Sequence, residues 1–143
     1  MSTQATTFAD GISIEDLSLI VAAGLVWLSV LVQHFTNVAE RGTQYVVSDR
    51  SVSPPMEGFF GRATRTLANN VESAVMWIPP IIVILMLHRS TWLSRTFAAT
   101  YICARIVFAI SYWFKIPHVR SLAWFAGMVC CTGVTALALI PTG

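Results

Sequence analysis

Four long apolar stretches constrain the fold of this 143-residue chain more than any other feature. They cover residues 17–35, 71–87, 97–114 and 122–140, which gives each of them about 17–19 residues. A helix needs roughly 20 residues, at 1.5 Å per residue, to cross the hydrocarbon core of a bilayer. Because the polar ends of the second and third stretches supply the missing turns, the sequence predicts four membrane-spanning helices.

Composition and residue pattern both favour helices in lipid. Charged residues make up 11% of the chain and hydrophobic residues 55%, whereas soluble domains carry about 25% charged residues. Strands of a membrane barrel alternate polar and apolar residues over segments of about ten, and these stretches do not alternate. Helices satisfy their backbone groups within lipid. We therefore predict an all-α membrane protein, an antiparallel four-helix bundle in one domain over residues 1–143.

The connections between the spans follow from the same pattern. Residues 38–61 form the one long loop, in which glycine and proline discourage continuous helix. Asp10 or Ser13 is expected to cap the first helix. The Pro79-Pro80 pair is expected to kink the second helix, because each proline removes a backbone donor. The predicted spans are about residues 14–37, 62–87, 93–114 and 121–140.

Lysine and arginine orient the bundle, because cytoplasmic loops of membrane proteins carry an excess of both. The first and third connections carry most of these charges, so we expect loop 38–61 in the cytoplasm and both termini on the opposite side. The N-terminus lacks the cationic region of a cleaved signal, so the first span is expected to be retained. The side predicted as cytoplasmic holds Arg41, Arg50, Arg62, Arg65, Lys115 and Arg120.

A polar stripe opens the second span, in the run GRATRTLANNVE. At about 100° per residue, its four members lie within an arc of about 80° and cover about 15 Å of the helix axis. The surplus of cationic donors over a single acid indicates a site for an anion from the cytoplasmic side. Anchoring of the two arginines on anionic lipid is the alternative. The stripe consists of Arg62, Arg65, Asn69 and Glu72.

The third span has a polar face of its own. Arg105 shares this face with Tyr101, Phe108 and Tyr112 at helical spacing. An arginine near the middle of the membrane costs at least about 2.5 kcal/mol without a partner. Because Glu72 is the one acid that we place inside an apolar span, we expect it to pair with Arg105. The alternative is that such a pair only joins two helices.

Together these motifs resemble the MAPEG superfamily, the membrane-associated proteins in eicosanoid and glutathione metabolism. The spacing Arg-x-x-Arg-x-x-x-Asn-x-x-Glu over residues 62–72 is similar to the second helix of the family. The run YICARIVFAISY resembles its Ala-Arg followed by aromatic residues, and IPHVRSLAW resembles the start of its fourth helix. Order and spacing agree over residues 60–125. The Ala-Arg and Arg-Ser-Leu-Ala-Trp stretches resemble those of small bacterial members of the family. This resemblance implies a bacterial inner membrane.

The resemblance implies a homotrimer that binds glutathione between adjacent subunits. It also implies that Arg120 stabilises the thiolate of glutathione as the catalytic residue. The apolar faces of the first and fourth helices would then hold a lipid-soluble electrophile. The implied binding set is Arg65, Asn69, Glu72 and Tyr112, with Arg62 and Arg105 beside it.

Three functions stay open on this basis. The first is a membrane glutathione-dependent transferase or peroxidase acting on hydrophobic electrophiles. The second is a non-catalytic trimer that serves as a scaffold, a lipid-binding protein or an accessory subunit of a larger membrane complex. The third, a small exporter, is disfavoured because we place no coupling carboxylate in the first span. Residue spacing indicates neither a metal site nor nucleic-acid binding, and Cys103, Cys130 and Cys131 are interpreted as small apolar residues.

Overall fold

The computed structural model describes residues 11–49 and 55–140 and places them in four long helices. Each helix is long and apolar enough to cross a membrane. The prediction of an all-α chain with four membrane-length helices is therefore confirmed. The helices are α1 (Ile14–Val47), α2 (Gly58–Met86), α3 (Trp92–Trp113) and α4 (Pro117–Leu139).

Two of the helices begin with reciprocal side-chain caps. Ser13 Oγ accepts a hydrogen bond from the backbone N–H of Asp16, and the Asp16 carboxylate accepts one from the backbone N–H of Ser13, both at 3.1 Å. Thr91 and Ser94 repeat this arrangement at the start of α3. Such a capping box satisfies donors that a helix start leaves free. Ser13 is thus the cap of α1, as predicted, and Asp10 lies outside the described residues.

The structure differs from the predicted loop over residues 38–61, because helix occupies both of its ends. α1 continues to Val47, and α2 begins at Gly58. The extension of α1 crosses Gly42, whose φ of 79° lies in the left-handed region. Glycine adopts this region without steric cost, so the chain changes direction there without losing the next helical turns.

Arg41 fastens the extension of α1 to the start of α2. Its guanidinium donates a hydrogen bond to Asn37 Oδ1 at 2.9 Å, one turn earlier in the helix. The same group lies 4.0 Å from the ring centre of Phe60, which is buried. These contacts explain why residues after 37 stay helical beyond the apolar run. Arg50, another charge used for the orientation, lies outside the described residues.

α2 and α3 form the centre of the bundle. Each of them packs against all three other helices, whereas α1 and α4 do not contact each other in residues 11–49 and 55–140. Asn70 of α2 donates to Ser29 of α1 at 2.8 Å, and Trp77 donates to Ser18 at 3.0 Å. Because the residue number rises along α2 while it falls along α1, these two neighbours run antiparallel.

Two aromatic rings stack in the middle of the core. The Trp77 and Tyr101 rings are nearly parallel, with centroids 3.9 Å apart, and both side chains are buried. The Trp77 indole N–H donates to Ser18, and the Tyr101 hydroxyl pairs with Ser73 Oγ at 3.0 Å. Buried indole and phenol groups need such partners, so the serines allow large rings with polar ends to fill a membrane core.

Two of the three cysteines lie in the core, and both prolines lie within α2. Cys130 and Cys131 are buried in the apolar core, as expected of small hydrophobic residues. Cys103 is exposed. Pro79 and Pro80 lie inside α2, and the helix continues to Met86 beyond them.

Candidate functional site

A cleft between α2, α3 and α4 opens at the end of the bundle where α2 and α4 begin. It comprises cavities of about 600, 250 and 90 Å³. The first two share Tyr112 and Arg120 as lining residues, and the second and third share Asn69 and Trp124. We call this space the cleft. All residues proposed from the sequence line it, namely Arg62, Arg65, Asn69, Glu72, Arg105, Tyr112 and Arg120.

Two arginines from the first turns of α2 line the widest part of the cleft. Arg62 donates from Nε to the carbonyl of Trp113 at 3.1 Å and from Nη1 to the carbonyl of Gly58 at 3.0 Å. Arg65 donates from Nη1 to the carbonyl of Met56 at 3.2 Å. Backbone carbonyls therefore orient both guanidinium groups while leaving each of them with further N–H donors.

Close approach of the chain before α2 requires a glycine at position 61. A Cβ atom there would lie 2.3 Å from the carbonyl oxygen of Met56, a separation that real Cβ atoms do not show. The same carbonyl accepts the hydrogen bond from Arg65. Gly61 thus lets the segment before α2 fold back and hold an arginine at the edge of the cleft.

Aromatic residues of α3 support two arginines of the cleft. Phe108 and Tyr112, one turn apart, contact edge to face with centroids 5.5 Å apart. The guanidinium of Arg105 lies 4.4 Å from the Phe108 ring centre, and that of Arg120 lies 4.8 Å from the Tyr112 ring centre. Guanidinium groups at such distances are attracted to the ring face. This face of α3 therefore places Arg105 beside the cavity of about 90 Å³, which we call the deep end of the cleft. It places Arg120 beside the cavity of about 600 Å³, which we call the mouth.

A tight connection brings Arg120 to this face. Lys115, two residues after the end of α3, has a φ of 60°, and Pro117 occupies the first turn of α4, where proline is pre-organised for helix. The backbone N–H of Ile116 donates to the carbonyl of Ser111 at 2.8 Å, which closes the turn. α4 consequently starts beside the last turns of α3, with Arg120 one turn into the helix.

Arg105 is buried but does not form the predicted ion pair. Its Nη2 donates to the side-chain oxygens of Asn69 and Asn70, and to the backbone carbonyl of Asn69 at 3.3 Å. No carboxylate of the described residues lies within ion-pair distance of it. The expectation of a Glu72–Arg105 ion pair is therefore wrong. Two adjacent amides replace the acid, because together they offer several oxygens at the depth of the guanidinium.

Glu72 instead lies at the outer edge of the deep end. It is exposed on α2 and lines the cavity of about 90 Å³ together with Ser73 and Arg105. Among the described residues, the mouth carries four cationic side chains and one acid, Glu57. Positive charge therefore predominates at the mouth, and an acid lies at the deep end. The cations of the mouth are Arg62, Arg65, Lys115 and Arg120.

A second polar cluster, at the opposite end of the bundle, was missed by the sequence analysis. Glu15 in the first turn of α1 is fully buried. Its Oε1 accepts hydrogen bonds from the hydroxyls of Ser90 and Ser94, the latter at 2.8 Å, and its Oε2 has no partner within residues 11–49 and 55–140. The statement that Glu72 is the only acid within the spans is therefore wrong. The cluster links the start of α1 to the start of α3.

One sequence signal could have revealed this cluster. Glu15 directly precedes the apolar run that begins at residue 17, and Ser90 and Ser94 flank the start of the third span. Both segments were predicted to reach the same side of the membrane, so a contact between them was foreseeable. It was overlooked because acids were sought only within the apolar runs, and the first run starts at Leu17, after Glu15.

Fold and cleft together define a helical membrane protein with a cationic, partly enclosed site at one end of its bundle. The family model of the MAPEG family matches residues 17–140, nearly the whole chain, and the chain belongs to this family. The resemblance found in the motifs is thereby confirmed. Comparisons with curated proteins and with solved structures find no match.

Proposed function

We propose that this MAPEG family member is a glutathione-dependent transferase or peroxidase of a bacterial inner membrane, acting on hydrophobic electrophiles. The single observation that carries the proposal is the convergence of Arg62, Arg65, Tyr112 and Arg120 on one cavity of about 600 Å³. Glutathione offers two carboxylates, an ammonium and a thiol. The clustered guanidinium groups suit the carboxylates, and Glu72 at the deep end suits the ammonium.

Arg120 is the proposed catalytic residue. A thiol with a pKa of about 8.5 must lose its proton before it attacks an electrophile. Lowering that pKa by two units requires about 2.7 kcal/mol, which is within reach of one partly desolvated guanidinium beside the sulfur. Arg120 is partly buried and lines both outer cavities of the cleft, so a thiol bound there would lie close to it.

Self-association into a homotrimer belongs to the same proposal. Seven residues of α2 are exposed along one ridge and alternate in spacings of three and four, the repeat of helices that pack together. Glu72 lies on this ridge about halfway along α2. A charged residue that faces lipid at mid-span costs about 2.5–3.5 kcal/mol, so burial of the ridge against neighbouring subunits would favour assembly. This outer ridge consists of Arg65, Ala68, Glu72, Val75, Pro79, Ile82 and Met86.

Binding of glutathione to the purified protein in detergent tests the proposed function. Calorimetry should detect binding in the wild type and its loss in the double variant Arg65→Ala with Arg120→Ala. Arg95→Ala is the matched control, because Arg95 is exposed at the far end of α3. Absence of binding by the wild type at millimolar glutathione, or an equal effect of the control, would refute the proposal.

Two valines test the assembly. Val75→Trp on the outer ridge should convert the trimer to smaller species, as measured by light scattering with detergent correction. Val129→Trp should not, because Val129 is likewise apolar and exposed but lies on α4 and is not part of the ridge. A monomeric wild type would contradict the trimer without bearing on the chemistry of the cleft.

One observation favours a non-catalytic trimer as the second candidate. Arg62 and Arg65 already donate to backbone carbonyls of this chain, so part of the proposed clamp serves the fold itself. A scaffold, a lipid-binding protein or an accessory subunit would need no more than this. Such a protein should purify with lipid or with a partner protein and should fail to bind glutathione. Turnover of a model electrophile by the pure trimer would exclude it.

A further inference from the structure

Arg120 differs from the other arginines at the mouth of the cleft in what holds it. Arg62 and Arg65 are bound through their N–H groups by backbone carbonyls. The Arg120 side chain makes no hydrogen bond with the described part of the chain, and its guanidinium instead contacts the face of the Tyr112 ring. A ring holds a guanidinium by its face and uses none of its donors. All Arg120 donors therefore stay available to an anion.

The ring that carries Arg120 is itself fixed. Tyr112 contacts Phe108 edge to face, and Phe108 is 2% exposed. The Tyr112 hydroxyl, by contrast, makes no hydrogen bond to any residue that the structure describes. The ring of Tyr112 thus contacts both Phe108 and Arg120, whereas its hydroxyl stays free of hydrogen bonds within residues 11–49 and 55–140.

From this geometry we propose that Tyr112 acts chiefly as a positioning residue: its ring holds Arg120 over the cleft, and its hydroxyl is secondary. The inference rests on the proposed function, because Arg120 is there the cation that stabilises the bound thiolate. The inference adds that the ring and the hydroxyl of Tyr112 contribute differently to the site. Phenylalanine at position 112 should accordingly preserve the site, and an aliphatic residue of similar bulk should damage it.

The expected size of the effect follows from the contact. A cation–π interaction changes an equilibrium constant by about 2- to 30-fold, depending on its exposure to solvent. Since the Tyr112 side chain is half-buried and the cleft is open, Tyr112→Leu should weaken glutathione binding about tenfold. Tyr112→Phe should stay within about twofold of the wild type.

The pH at which the bound glutathione thiol ionises shows whether Tyr112 positions Arg120 or only supports the fold. The ultraviolet absorbance of the thiolate is followed against pH for the protein saturated with glutathione. With a well-placed cation the thiolate forms at lower pH, so Tyr112→Leu should move the midpoint of the titration to higher pH. Tyr112→Phe should leave it unchanged. Phe114→Leu, an exposed aromatic residue just after α3, is the matched control and should also leave it unchanged.

The outcomes are distinguishable. If Tyr112→Phe shifts the midpoint as far as Tyr112→Leu, the hydroxyl is the active group; the positioning role then falls, and the proposed function stands. If Tyr112→Leu binds and titrates like the wild type, the ring has no role and the inference falls as well. If the wild type binds no glutathione, both proposals fall together. Thermal unfolding of each variant in the same detergent confirms that the compared proteins are folded.

Discussion

Replacing Glu15 probes the polar contact that joins α1 to α3. We expect Glu15→Ala to lower the free energy of unfolding by about 2 kcal/mol. Glu15→Gln should lower it by less than about 1 kcal/mol, because glutamine keeps the acceptor oxygen and nearly the same volume. Glu40→Ala, an exposed acid on the same helix, is the matched control and should stay within about 0.5 kcal/mol of the wild type.

The estimate for Glu15→Ala combines two losses and two offsets. Truncating a fully buried side chain of this length costs at least about 2 kcal/mol in lost packing. Two hydroxyl hydrogen bonds to Oε1 are lost, at about 1 kcal/mol each. Ser94 recovers part of this, since its hydroxyl also reaches the carbonyl of Thr91 at 2.9 Å. Relief of the unpartnered Oε2 offsets about 1–3 kcal/mol. The remainder is about 2 kcal/mol.

Titration of the detergent-solubilised protein with sodium dodecyl sulfate measures these differences. Far-ultraviolet circular dichroism follows the loss of helix, and linear extrapolation gives the free energy of unfolding. A Glu15→Ala protein as stable as the Glu40→Ala control would refute the reasoning. So would equal losses for alanine and glutamine at position 15, because the acceptor oxygen would then contribute nothing.

Two further changes test the packing of the core in the same assay. Gly133→Ala should cost about 1–2 kcal/mol, because its Cβ would lie 2.4 Å from the Phe97 ring; Gly24→Ala, with nothing within 4 Å, should be neutral or stabilising. Equal stabilities would contradict this. Trp77→Phe should cost about 1 kcal/mol, because the indole hydrogen bond to Ser18 is lost; unchanged stability would show that this bond has no net value.

Much of this architecture could be predicted from the sequence because lipid imposes it. Apolar runs of membrane length admit little other than helices. The lining of the cleft was also foreseeable in part, since helical spacing places Arg62, Arg65 and Asn69 on one side of α2, and the cleft lies along that side. Periodicity fixes which residues share a face of one helix, and these predictions required no more than that.

Contacts between helices were beyond the same reasoning. The sequence analysis paired Arg105 with Glu72 because opposite charges attract, yet the guanidinium binds Asn69 and Asn70 instead. Asn70 lies about 80° from Arg62 on the helical wheel, on the side opposite to Glu72. It was therefore left out of the stripe. Which side of α2 faces α3 depends on the rotation of the helix in the bundle, and the pattern of one helix does not contain that rotation.

Depth in the bundle explains why Arg105 is hydrogen-bonded to α2 while Arg120, in the same cleft, keeps its N–H donors free. Arg105 is 3% exposed, and a guanidinium at that depth costs at least about 2.5 kcal/mol unless oxygens surround it. Amide and carbonyl oxygens of α2 therefore bind it within the bundle. Arg120 lies at the start of α4, beside an open cavity, where water offsets most of that cost. Arg120 can therefore keep its N–H donors free. Arg105 uses its donors to stabilise the bundle, and Arg120 remains able to bind an anion.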